Sequence, residues 1–135
     1  MLFRSRIEGL TKFYGVSIAI GSALRDHLGN FAVLELDRVR VIGRAAPERV
    51  FVLLGDEAFA KDAEFTALRE RHEAMLVAYR AGDWGEAGRQ LPDLNAQAAS
   101  FGLTPLYALY ADRIETLSSS PPPAGWDGVY EARSK

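Results

Sequence analysis

The sequence contains no cysteine, and this absence excludes several kinds of chemistry at once. Disulfide bridges, thiolate nucleophiles and cysteine-based zinc sites all require that residue. Histidine is scarce too: His27 and His72 stand alone, without a second ligand at metal-binding spacing. We therefore predict two structural histidines and no metal site in this chain.

The chain also lacks a large excess of charge of one sign, and it lacks long apolar runs. The chain has 16 lysines and arginines against 18 acidic residues, a formal net charge of −2. Nucleic-acid-binding domains usually concentrate basic residues on one face, so the even mixture predicts no nucleic-acid partner. No apolar run approaches the ~20 residues that span a bilayer, and Arg4, Arg6 and Glu8 interrupt any signal-peptide core. We expect a cytoplasmic protein with no membrane span in this chain.

Residues 1–55 have the mixed pattern of an α+β domain, within a chain of 135 residues that is 48% apolar. Helical spacing and β-branched alternation predict the order α-β-α-β-β. The predicted elements are a helix over residues 4–14 stopped by Gly15, a strand over 16–20, a helix over 22–28, a strand over 31–41 and an antiparallel strand over 49–54. The segment 31–41 is either one long strand or two segments with a bulge near Leu36–Asp37.

Residues 56–117 change to an almost wholly helical pattern with three apolar stripes. The stripes contain Phe65, Leu68, His72, Leu76 and Tyr79, then Trp84, Ala87, Leu91, Leu94 and Ala98, then Leu106, Tyr110 and Ile114. Pro92 is expected to kink the second helix, and Thr104–Pro105 to form the N-cap and first position of the third. The junction AYRAGDWGEA resembles a tetratricopeptide repeat, but only about one and a half units are present where a solenoid needs three. A helical appendage packed on the sheet or on a partner is the simpler interpretation.

Residues 118–135 form the last predicted segment. Ser118–Pro123 has the composition of a stiff polar linker. The following tail carries Trp126, Val129 and Tyr130, and we expect it to be ordered against a core.

Two stretches resemble class III nucleotide cyclases. The segment SRIEGLTKFYG resembles the helix that carries the transition-state arginine of that family. The segment ELDRVRVIGRAAPERVFVLLG resembles the strand, basic turn and returning strand that close the catalytic domain. The helical extension and the ending PPPAGWDGVYEARSK resemble the C-terminal extension of a bacterial subfamily with an extracytoplasmic sensor and a membrane anchor. The resemblance implies part of a ferredoxin-like cyclase sheet, followed by a TPR-like extension of about three helices.

The resemblance also implies where the chemistry lies. In the family, two metal-binding aspartates hold Mg or Mn, and an arginine and an asparagine from the facing protomer act on the nucleotide. Arg6 matches the transition-state arginine, whereas Leu2 occupies the asparagine position. Ile42 stands where a triphosphate-binding lysine belongs, and Arg44 keeps a second cation that can contact a phosphate. The metal aspartates lie upstream in the family, and these 135 residues contain no counterpart.

The functional expectation is therefore a C-terminal fragment of a class III adenylate cyclase that begins inside the motif. Such a chain holds no cofactor of its own, binds ATP only if the missing half is supplied, and is inactive alone. Its partner is a second copy in a homodimer or another cyclase domain. The alternatives are a non-catalytic dimerisation or regulatory module that docks onto an intact cyclase, and a truncated product with no independent role.

Plainer interpretations of the same arginines stay open. Arg6 on an amphipathic helix is also consistent with a surface residue paired with Glu8 or Asp26. Arg38, Arg40 and Arg44 are equally consistent with charges that protect an exposed strand from unwanted pairing.

Overall fold

The computed structural model describes residues 11–41 and 46–132, and these form an α+β fold, as predicted. Residues 11–14 are helical. The elements that follow are β1 (Ala19–Gly21), α1 (Ser22–His27), β2 (Ala32–Val41), β3 (Glu48–Gly55), α2 (Glu57–Ala60), α3 (Ala63–Arg80), α4 (Trp84–Phe101), α5 (Thr104–Ser119) and β4 (Tyr130–Ala132). In this part of the chain no helix has the length and apolar character needed to cross a membrane.

Four strands form one sheet in the order β1-β3-β2-β4. β3 is antiparallel to both β1 and β2, whereas β4 is parallel to β2 and pairs Tyr130 with Val39. The long strand and its returning partner lie where the sequence predicts them. The first strand begins at Ala19, later than predicted. The reason is that Val16 still belongs to the helix end: its N–H donates to the Thr11 carbonyl at 3.0 Å, and Gly15 adopts φ 69°.

A β-bulge interrupts β2 at the predicted position. Glu35 pairs with Phe51 but Asp37 pairs with Val50, so Leu36 is the extra residue. Because one residue is inserted, Leu36 and Asp37 are both buried, although neighbouring residues of a regular strand face opposite sides. The bulge thus places the Asp37 carboxylate in the core.

The two faces of the sheet are covered unequally. On one face the sheet shares a continuous apolar core with α3, α4 and α5. On the other face Ile20, Val33 and Phe51 form a small separate cluster, and α1 beside it buries none of its residues. The predicted domain boundaries after residues 55 and 117 stay a prediction, and the main core is continuous across the first of them.

The three long helices follow the predicted stripes. All five side chains of the first stripe are buried in α3, and Ala87, Leu91, Leu94 and Ala98 are buried in α4. α4 continues through Pro92 as one helix. The predicted N-cap of the third helix is wrong by one residue: α5 begins at Thr104, and Leu103 before it makes no side-chain cap hydrogen bond.

The described part of the tail, up to residue 132, packs against the core, as predicted. The Trp126 ring lies 5.5 Å from Tyr79 and 5.6 Å from Trp84, and Val129 is buried. Helix α5 continues to Ser119, so the first two residues of the predicted linker are helical.

Candidate functional site

The two predicted site residues, Arg6 and Arg44, lie outside the described residues, and so do Leu2 and Ile42. Their roles therefore stay predictions. The described residues nearest to residues 42–45 are the ends of β2 and β3, which pair Arg38 with Arg49 and Val39 with Glu48.

The strand arginines near this turn have carboxylate partners within the chain. Arg40 Nη2 donates to Asp127 Oδ2 at 2.8 Å, and this hydrogen bond holds the pKa of Asp127 below its ordinary value. Arg38 Nε lies 3.8 Å from Glu35 Oε2. These contacts give both arginines a partner within the fold. The interpretation of them as charges that protect an exposed strand stays a prediction.

The most elaborate polar arrangement surrounds Asp37, which is 1% exposed. Tyr14 Oη donates to Asp37 Oδ2 at 2.5 Å, and Arg113 Nη1 of α5 donates to the same oxygen at 2.8 Å. The Arg38 backbone N–H donates to Oδ1 at 2.9 Å. Tyr110 Oη donates to the carbonyl of the bulge residue Leu36. We call Tyr14, Asp37, Tyr110 and Arg113 the Asp37 cluster.

The two tyrosines and the arginine of the Asp37 cluster each keep a single protonation state near neutral pH. Burial and the adjacent charge of Asp37 raise the pKa of Tyr14 far above its ordinary value, and burial does the same for Tyr110. Burial would lower the pKa of Arg113, but interactions with Asp37 and with the neighbouring Tyr110, Tyr79 and Tyr14 together outweigh it and raise that pKa. Both tyrosines are therefore neutral hydroxyl donors and Arg113 is a permanent cation. These hydroxyl donors and this cation hold elements of the fold together, and they supply no general acid or base near neutral pH.

A second charged side chain, only partly buried, lies on the other side of the bulge. Glu35 accepts hydrogen bonds from Arg49, at 3.1 and 3.3 Å, and from Arg80 of α3 at 3.2 Å. Burial would raise the pKa of Glu35, but the hydrogen bonds from Arg49 and the charge of Arg80 hold it below its ordinary value. Glu35 and Asp37 thus attach the bulge to α3 and to α5 respectively.

His72 completes the attachment of α3 to the bulge. Its Nε2 lies 2.7 Å from the Glu35 carbonyl oxygen and its Nδ1 lies 2.9 Å from Tyr107 Oη. Because a carbonyl only accepts, Nε2 carries the proton and Nδ1 accepts from the tyrosine. Burial lowers the pKa of His72 to about 4, so the ring is neutral. The prediction of a structural histidine is confirmed for His72, whereas it is wrong for His27, which is exposed on α1.

The described residues do not fit the divalent metal of the cyclase family. No group of three or more histidine and acidic side chains is placed to hold an ion within residues 11–41 and 46–132. Asp37 is neutralised by Arg113, and Asp56 caps α2 by accepting from Phe59 N–H at 3.0 Å. We derive no metal-dependent step from these residues.

A surface cleft of about 490 Å³ lies between the α1–β2 turn, α2 and α3. It is lined by Arg25, Glu57, Lys61, Arg69 and Glu73, among others. Glu57 and Lys61 are four residues apart, as are Arg69 and Glu73, a spacing at which opposite charges offset each other on a helix surface. The cleft therefore presents mixed charge and favours no ligand class.

Sequence reasoning missed the Asp37 cluster. It placed Asp37 on the long strand and Tyr110 in an inward stripe, but it gave Arg113 no role. The available signal was an arginine between two inward positions, Tyr110 and Ile114, on a helix whose opposite face is polar. Its carboxylate partner lies 76 residues away, beyond the reach of any local pattern.

Comparison of the chain with models of protein families, with curated proteins and with solved structures finds no match.

Proposed function

We propose that this chain is the C-terminal part of a class III nucleotide cyclase catalytic domain together with its helical extension. The observation that supports this is the element order: a helix ending at Gly15, then β1, α1 and the antiparallel pair β2 and β3. This is the α-β-α-β-β order that the resemblance of residues 5–15 and 35–55 implies for the closing half of a ferredoxin-like cyclase sheet.

The reaction of the family is attack of the ribose 3′-hydroxyl of ATP on the α-phosphorus, which forms cyclic AMP and releases pyrophosphate. In this proposal Arg6 stabilises the charge that builds on the phosphate oxygens, and Arg44 contacts a phosphate. Described residues next to the segments that contain Arg6 and Arg44 make the contacts that would hold them. Tyr14 ties the end of the first helix to β2, and the ladder between Val39 and Glu48 fixes both sides of the turn that contains Arg44.

These 135 residues lack the metal aspartates and carry Leu2 and Ile42 at two nucleotide-binding positions. The proposal therefore assigns catalysis to a complex with a protomer that supplies the metal site. It assigns no cyclic AMP formation to the chain alone.

The test mixes the chain with a class III cyclase protomer that keeps its metal aspartates but has its own transition-state arginine replaced by alanine. With ATP and Mn²⁺, the chain alone is expected to form no cyclic AMP, and the mixture is expected to form it at a low rate that Arg6→Ala abolishes. Arg89→Ala on the exposed face of α4 is the matched control and keeps the rate. Turnover by the chain alone contradicts its assigned inactivity, and absence of both binding and turnover in the mixture contradicts the proposed function.

A second candidate is a non-catalytic module that dimerises or docks onto an intact cyclase. It is favoured by the thinly covered face of the sheet, where Ile18 and Leu24 are 48% and 50% exposed beside the Ile20, Val33 and Phe51 cluster. In the mixing experiment this candidate predicts binding without Arg6-dependent turnover. Sedimentation showing a strict monomer that leaves the partner cyclase unaffected contradicts it.

A further inference from the structure

We propose that Arg113 of α5 is a positioning residue, which acts through Asp37 and Tyr14 to fix the end of the first helix against the sheet. The functional consequence rests on the proposed function: the helical extension then sets the orientation of the helix predicted to carry Arg6. The extension thereby becomes the regulator of the arginine's position.

The first step is the bulge in β2. In a regular ladder Leu36 would pair with Val50, and Asp37 would lie on the opposite face, away from α5. With the bulge, the carboxylate is buried where side chains from two other elements reach it.

The second step is that the two donors share one oxygen. Tyr14 Oη and Arg113 Nη1 both donate to Asp37 Oδ2, at 2.5 and 2.8 Å. A displacement of α5 that removes Arg113 therefore leaves a buried carboxylate uncompensated. The hydrogen bond from Tyr14 changes with it, because both donors depend on the position of a single atom.

The third step is the packing around the guanidinium. Arg113 Cζ lies 5.9 Å from the Tyr14 ring centroid, 5.2 Å from that of Tyr110 and 4.4 Å from that of Tyr130. Phe13 also stacks on Tyr130 with centroids 5.4 Å apart. The end of the first helix, α5 and the tail strand therefore all contact one cation or its immediate neighbours.

The fourth step is a second contact between the same two elements. Gly15 ends the first helix so close to α5 that a Cβ atom there would lie 2.4 Å from Pro105 Cβ. Pro105 and Arg113 are two turns apart on α5, so the helix end touches α5 at two separated places. Two such contacts restrict rotation as well as translation of the helix end.

The test on the full chain measures hydrogen exchange of the Val16 amide, which closes the helix end by donating to the Thr11 carbonyl. Tyr14→Phe removes only the hydroxyl that donates to Asp37, and Arg113→Lys keeps the charge but loses the planar guanidinium that lies among the tyrosine rings. Each is expected to speed Val16 exchange about tenfold or more relative to α3 amides. Tyr107→Phe is the matched control, because it removes another buried hydroxyl of α5, the one bonded to His72.

Equal acceleration of Val16 and α3 amides, or the same local effect in Tyr107→Phe, overturns the inference because it shows only general loss of stability. No change in Val16 exchange in either cluster variant overturns it as well. Tyr14→Phe keeps the test available if an Arg113 variant fails to fold, since it retains the ring.

The functional arm uses the same mixture of chain and arginine-deficient cyclase protomer. Arg113→Lys and Tyr14→Phe are expected to lower the maximal rate of cyclic AMP formation about tenfold while the concentration of chain giving half-maximal rate stays within about twofold. Turnover that both variants leave unchanged contradicts the inference alone. A local change in exchange without turnover by any version of the chain contradicts the proposed function alone.

Discussion

Arg113 Nη1 on α5 lies 2.8 Å from Asp37 Oδ2 on β2, and this ion pair joins residues 76 positions apart in the sequence. Only 10% of the Arg113 side chain and 1% of the Asp37 side chain are exposed. Removing one partner of such a pair leaves the other charge buried and unpaired, which costs far more than the pair itself contributes.

The first prediction concerns the cost of removing one partner of this ion pair. Arg113→Met is expected to lower the free energy of unfolding by about 3–5 kcal/mol, because it leaves the buried Asp37 without its ion-pair partner. The double variant Asp37→Asn with Arg113→Met is expected to lose less than the single one. Urea unfolding followed by circular dichroism measures both, and a double variant less stable than Arg113→Met contradicts the explanation.

The second prediction is a pH dependence caused by His72. Its pKa is about 4 in the folded chain and about 6.5 when unfolded, so the unfolded state binds the proton more readily between these values. The contribution of the neutral ring is present above pH 6.5 and is lost as pH falls towards 4, by up to about 3 kcal/mol.

The check for His72 is the free energy of unfolding measured by urea at pH 7, 5.5 and 4.5. The variant His72→Gln is expected to show a shallower dependence on pH than the natural chain. His27→Gln, on the exposed α1, is the control and is expected to follow the natural chain. Parallel curves for His72→Gln and the natural chain would exclude the histidine as the source.

The third prediction concerns Glu35, whose pKa is held below its ordinary value. A lowered carboxylate pKa contributes stability above the unfolded pKa, near 4.3, and the contribution is lost as pH falls through the folded value. Glu35→Gln is therefore expected to cost about 2 kcal/mol at pH 7 and progressively less below pH 4.3. Glu86→Gln, at an exposed pair with Arg89, is the comparison and is expected to change stability little. A Glu35→Gln cost that does not vary with pH contradicts the assignment.

The fourth prediction separates backbone strain from close packing at two helix ends. Gly15 and Gly102 both have φ 69°, but only Gly15 faces a neighbour, Pro105, within 4 Å. Gly102→Ala is expected to cost about 1–2 kcal/mol from left-handed strain alone. Gly15→Ala is expected to cost about 1–3 kcal/mol more, because the methyl group must displace α5. Thermal unfolding of the two variants measures the difference, and equal losses contradict the close contact.

The sequence was informative wherever local periodicity decides structure. The stripes of α3 and α4 were predicted, and the bulge near Leu36 was one of two alternatives for its segment, because each depends on spacing within one element. The parallel pairing of Tyr130 with Val39 was not predicted, and neither was the ion pair of Arg113 with Asp37. Both contacts join segments that are far apart in the sequence. The type of a side chain does not specify which distant group it contacts. The predicted site residues Arg6 and Arg44 came from resemblance, and their geometry lies outside the described residues.

The position of β4 has a consequence for biosynthesis. β4 pairs with the C-terminal end of β2, residues 39–41, about 90 residues earlier in the chain. Until residues 130–132 have emerged from the ribosome, the outer edge of β2 has unpaired backbone groups that another strand can bind. The nascent chain thus keeps this part of the sheet edge open for about 90 residues of synthesis after β2, until the tail strand pairs with it.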